Sequence, residues 1–172
     1  GFGSDGDGTV INHGTITGAY SGLQPNGDGD GVDIDNIAHI ENYGTIQGVG
    51  AGGVDKGGFA NGSEGIALGG GYVLNAKGAL ISGANSAILV DDGSGGSGQA
   101  ATTLENFGTI QGLDGFGVKF VGEFDDNVIN GGTISASNGL ALDLGGGNDS
   151  LTLRSGSRFV GVADGGAGYD RV

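Results

Sequence analysis

The chain has no cysteine, no methionine and no tryptophan, and a single proline, Pro25. Without cysteine it has no disulfide, no thiolate metal site and no thiol nucleophile, and its redox compartment stays open. Basic residues are scarce: six Lys and Arg stand against twenty Asp and Glu, a formal net charge of −14 at pH 7. Nucleic acid and anionic membrane surfaces both need basic patches, so neither is expected as a partner. The acidic balance favours cations instead, Ca²⁺ above all, because hard cations take oxygen ligands. No apolar run approaches the roughly 20 residues of a membrane span, so no membrane insertion is expected of this segment. Nothing in it reads as a signal peptide, and a secreted parent would carry one elsewhere.

Glycine is what the chain has in excess, with 44 of 172 residues against a typical share of about 7%. There is no Gly-X-Y period, which excludes collagen. Apolar residues recur in short alternating runs between the glycines, so the glycines are expected at corners between strands.

One unit repeats: apolar, any, Asn, any, Gly, Thr, Ile, any, Gly. It stands as VINHGTITG (10–18), IENYGTIQG (40–48) and LENFGTIQG (104–112), and as VINGGTISA (128–136) with Ala136 in the last place. Two looser copies, VLNAKGALISG (73–83) and LTLRSGSRFVG (151–161), carry two extra corner residues, and a further unit begins at Val172. The first apolar position falls at Val10, Ile40, Val73, Leu104, Val128, Leu151 and Val172, at intervals of 30, 33, 31, 24, 23 and 21 residues. Fixed strands with variable loops are the mark of a solenoid. A second alternating strand follows in each coil, at 31–35, 65–68, 87–91, 117–121 and 139–143.

Stacked at about 4.8 Å per coil, six coils make a rod of roughly 29 Å. Ile16, Ile46, Ile81, Ile110, Ile134 and Phe159 are expected to form one interior column, and Val32, Ile66, Ile88, Val118 and Leu140 another. Asn12, Asn42, Asn75, Asn106 and Asn130 fall at one corner. There they are expected as a structural ladder, since Asn tolerates left-handed backbone and stacked amides hydrogen-bond along a rod. Thr15, Thr45, Thr109 and Thr133 are expected as an outward row.

These units resemble the repeats of β-helical passenger domains of autotransporters, surface and secreted proteins of Gram-negative bacteria, over residues 8 to 172. The resemblance implies an all-β fold, a right-handed parallel β-helix of about six coils, with the handedness also given by the crossover rule. Residues 1–172 are then one segment of a longer passenger domain. It also implies secretion or exposure at the bacterial outer membrane, and a role as stalk or adhesin segment meeting a host or environmental surface or a polysaccharide. Passenger domains include enzymes, so the fold alone does not decide the function.

GGAGYDRV (165–172) matches the RTX nonapeptide GGxGxDxU, and LGGGNDSL (144–151) matches it with Leu144 in place of the first glycine. That resemblance implies Ca²⁺ held between turns by the glycine carbonyls, at Gly147 and Gly168, and by Asp149 and Asp170. Asp126 stands two residues before Val128, the equivalent place in the preceding coil, so Asp126, Asp149 and Asp170 are expected to stack. Solvated acids on glycine turns are the rival reading. A second calcium candidate is NGDGDGVDID (26–35), with Asn26, Asp28, Asp30 and Asp33. It opens like an EF-hand loop, but Ile37 stands where the bidentate acid belongs.

An enzyme is not expected. Asp35, Asp91 and Asp143 end equivalent strands and Asp92 follows Asp91, and paired acids could hydrolyse a glycosidic bond. The Lys and Arg residues that a lyase would need are scattered, and His13 and His39 read as exposed. Excursions at 47–64 and 91–103, with Val49, Val54 and Phe59, are the natural places for binding loops. Two alternatives stay beside the stalk: a polysaccharide-binding or polysaccharide-degrading module, and a self-associating subunit of a surface layer or filament with exposed strand edges.

Overall fold

The computed structural model describes residues 1–22, 26–54, 60–91 and 96–172. Phe59 and Asp92 lie outside the described residues. The chain winds in coils that each lay strands on three faces. Coil one has β1 (Phe2–Ser4), β2 (Gly8–Asn12) and β3 (Thr15–Gly18). Coil two has β4 (Val32–Asn42) and β5 (Thr45–Gly48), and coil three has β6 (Ile66–Asn75) and β7 (Leu80–Gly83). Coil four has β8 (Ile88–Val90), β9 (Thr102–Asn106) and β10 (Thr109–Gly112). Then come β11 (Val118–Phe120), β12 (Asn127–Asn130) and β13 (Thr133–Asp143), and last β14 (Ser150–Leu153) and β15 (Arg158–Asp164).

Every strand pairs parallel with its equivalent in the next coil, and no helix occurs among the described residues. The molecule is a parallel β-helix. β4, β6 and β13 each turn a corner, which joins the faces into one hydrogen-bonded sheet of fifteen strands. The middle face carries six rungs, from β2 to β14, and a bridge from Ser150 to Arg171 starts a seventh.

The register follows the repeat. Val10, Ile40, Val73, Leu104, Val128 and Leu151 are successive Cα partners, as are Ile16, Ile46, Ile81, Ile110, Ile134 and Phe159. Except for Ile16 and Phe159 in the outer coils, these are buried and form the core with Val32, Ile66, Ile88 and Val118. Alternation puts every second residue inside, and each fully buried aliphatic side chain contributes roughly 1.5–3 kcal/mol.

Four expectations need correction. The partner of Val118 is Leu142, not Leu140, because the corner runs eight residues from Ile134 to Leu142, as it does from Ile110 to Val118, with Gly139 turning at φ +89°. The corner therefore leaves Leu140 half-buried while Leu142 is sealed. The same register sets Asp143 beside Lys119 rather than in line with Asp35 and Asp91. Finally, no non-glycine residue among those described has positive φ. The corner asparagines therefore serve through their amides alone. The threonine row is broken by Leu80, which pairs with both Thr45 and Thr109.

Candidate functional site

The corner asparagines form a continuous ladder. Nδ2 of Asn12, Asn42, Asn75 and Asn106 each donates to Oδ1 of the next, at 2.8, 3.0, 2.9 and 2.9 Å. The same Nδ2 atoms donate to the carbonyls of Thr45, Leu80, Thr109 and Thr133. Oδ1 of Asn12, Asn42, Asn106 and Asn130 accepts the N–H of the glycine two residues on. Asn12, Asn42 and Asn106 thus close their own corners and tie them to the next coil, while Asn75 makes the inter-coil bonds alone. At Asn130 the ladder ends, because its partner position holds Leu153, and Nδ2 of Asn130 is buried without a hydrogen bond.

The acids of the last coils stack inside the rod. Asp126 and Asp149 precede the core residues Val128 and Leu151 by two, so strand alternation turns them inward. Oδ1 of Asp126 accepts the N–H of Thr102 (2.5 Å), Oδ1 of Asp149 that of Asp126 (2.7 Å), and Oδ1 of Asp170 that of Asp149 (3.1 Å). Asp149 is 0% exposed, and its Oδ2 has no partner, nor has the buried hydroxyl of Thr102. Burial pushes the Asp126 carboxyl up to about 7, with the charge of Asp149 adding to it and the Thr102 N–H opposing. Burial raises Asp149 as well.

Gly147 and Gly168 turn at φ +125° and +139°, and a Cβ on Gly168 would meet the Gly147 carbonyl at 1.6 Å. These glycines allow close stacking of successive turns. Calcium takes six to eight oxygens. Here one oxygen of each Asp is occupied by a backbone N–H, and no three His, Cys, Asp or Glu side chains converge on a common point among the described residues. The column as built does not fit a calcium shell.

The second group of acids is differently arranged from an EF-hand loop. Oδ1 of Asn26 accepts the N–H of Val54, which takes Asn26 away from the acids. Asp28, Asp30 and Asp33 line a hollow of about 220 Å³ with Phe2. Asp30 accepts the N–H of Glu64 at 2.7 Å and shares a hydrogen bond between carboxyl groups with it. Burial, then the Asp30 charge, pushes Glu64 up to about 8, while burial raises Asp30 and takes Asp33 to about 6. One proton held between Asp30 and Glu64 lets two buried carboxyls sit together. Glu64 is missing from the sequence reading, yet its position was legible. Both acids stand directly before a glycine and a buried apolar residue, Gly31-Val32 and Gly65-Ile66, which pair in the sheet.

A third group lies on the outer middle face. His13 stacks on Tyr43 with centroids 4.7 Å apart and planes at 7°, and His39 on Tyr72 at 5.1 Å and 26°. Each pair occupies one repeat position in adjacent coils, which is the signal that could have found it. Glu41 sits between the pairs: Oε1 lies 3.0 Å from His39 Nε2, and Oε2 accepts the Tyr43 hydroxyl at 2.6 Å. The hydrogen bonds from Tyr43 and then His39 hold the Glu41 carboxyl below its ordinary value.

Comparison of the chain with protein-family models, with curated proteins and with solved structures finds no match.

Proposed function

We propose that this chain is a non-catalytic segment of an extracellular bacterial rod, a stalk or adhesin segment that holds its outer faces away from a cell surface. The observation that carries this reading is the asparagine ladder, which runs through five coils and gives every corner an inter-coil bond and four of the five a local one as well. Each rung repeats the last, so stability is a sum of nearest-neighbour terms, which suits a stiff spacer of adjustable length. The autotransporter-like repeats support the surface location, and the negative charge supports solubility there.

The test is surface labelling. Antibodies raised against the chain should stain intact cells of its source, and external protease should remove the stain. Staining confined to permeabilised cells would overturn the reading. Thermal unfolding with EDTA and then with Ca²⁺ separates the ion from the rod. A midpoint that rises with Ca²⁺ in the wild type but not in Asp149→Asn would add a structural ion at the acid column. An unchanged midpoint leaves the rod on its aliphatic and amide ladders.

A further inference from the structure

A shallow hollow of about 460 Å³ opens on the middle face beside the His39–Tyr72 stack. That volume lies within the range of about 300–1,000 Å³ for small-ligand sites. Its floor is the backbone of Gly8, Ala38 and Gly71, where the repeat carries almost no side chain. Asp7, Thr9, His39 and Tyr72 stand around it, with the side chain of Ile37. We propose that this hollow is a subsite for a neutral saccharide, one ring of a polysaccharide laid along the rod.

The donor and acceptor inventory chooses the ligand. Asp7 Oδ1 accepts the N–H of Ile37, so the other oxygen, Oδ2, is the acceptor left for a ligand. Glu41 engages His39 at Nε2, which donates to the carboxylate, and in the neutral ring Nδ1 is then an acceptor. Tyr43 fixes Glu41 in turn, so the imidazole is held before a ligand arrives. The hydroxyls of Thr9 and Tyr72 both donate and accept. A ring of acceptors and hydroxyls over a small apolar floor suits a ligand rich in O–H donors and C–H faces. No Lys or Arg lines the hollow, and Asp7 stands at its rim, so a uronate or phosphate would meet repulsion without a counter-charge. The rings stack on each other along the rod, so recognition runs through polar edges more than through an open aromatic face.

This site goes beyond the rod, which surface labelling and unfolding test separately. The experiment is titration of the ¹⁵N-labelled full chain with cellohexaose and maltohexaose, with glucosamine and galacturonate oligomers as cationic and anionic controls. Neutral oligomers should shift the amides of Thr9, Ile37, His39 and Tyr72. Asp7→Asn and Tyr72→Phe should each weaken binding by about tenfold at unchanged melting temperature. No shift at these amides with either neutral oligomer overturns the proposal, and so does equal or tighter binding of either charged control.

Discussion

Asn106 shows what one side chain does in this rod. Its Nδ2 serves Asn130 and the Thr133 carbonyl, and its Oδ1 takes Asn75 Nδ2 and the Gly108 N–H. Replacing it by Leu would remove all four bonds at once. Asn75 Nδ2 keeps the Thr109 carbonyl and Asn130 Oδ1 the Gly132 N–H, but the buried Gly108 N–H loses its side-chain acceptor, at roughly 1–3 kcal/mol for an orphan and about 1 kcal/mol for each other lost bond. Asn106→Leu is therefore expected to lower unfolding stability by at least about 3 kcal/mol in urea titrations. A loss as small as that of an exposed threonine would refute the ladder's energetic role. The converse change lies one coil on. Leu153 is 49% exposed at the ladder position, and Asn130 Nδ2 is unpartnered. Leu153→Asn would offer that Nδ2 an acceptor, and should raise stability by about 1 kcal/mol.

At the scale of the strand, glycine decides where backbones touch. Gly71 opens the middle-face part of β6 at φ +113°, and a Cβ there would stand 2.2 Å from the Ala38 carbonyl. Neither the dihedral nor the gap admits a side chain, and neighbouring coils cannot separate without losing their ladder bonds. Gly71→Ala should cost about 2 kcal/mol or more, with hydrogen exchange accelerated first in β4 and β6. Uniform exchange across the rod would contradict that local origin. The bend in β13 is the counterpart: there the chain takes seven steps from Ser135 to Leu142 where β15 takes three from Val160 to Ala163.

Across the whole molecule, the inward acids couple stability to pH. Asp33, Asp126 and Glu64 titrate at about 6, 7 and 8 in the fold, against about 4 in an unfolded chain. Between these values the folded state holds protons that the unfolded state has lost. Stability should therefore fall as pH rises from about 4 to about 8 and level off above, with no contribution from these groups below about 4. The urea midpoint is expected to be higher at pH about 5 than at about 8.5. Glu64→Gln keeps a donor beside Asp30 without the charge, so it should stabilise at the higher pH, stay near neutral at the lower, and narrow the difference. A midpoint that rises with pH would contradict the assignment.

The sequence by itself determined the coil. The period of apolar, Asn, Gly and Ile positions names the strands, the core columns and the ladder, because each repeat must bury the same face against its neighbour. It also placed Asp126, Asp149 and Asp170 in one column, since a fixed register carries equal positions onto each other. Tertiary structure decided the rest. Whether an Asp faces a cation or a backbone N–H depends on tenths of an ångström between coils. The Asp30–Glu64 pair spans 34 residues across a loop whose length no periodicity sets. The hollow beside His39 exists because small residues of three coils coincide with a bulge in β4 between Ile34 and Ile37. Periodicity fixes which residues are neighbours, and only packing fixes which of their atoms meet.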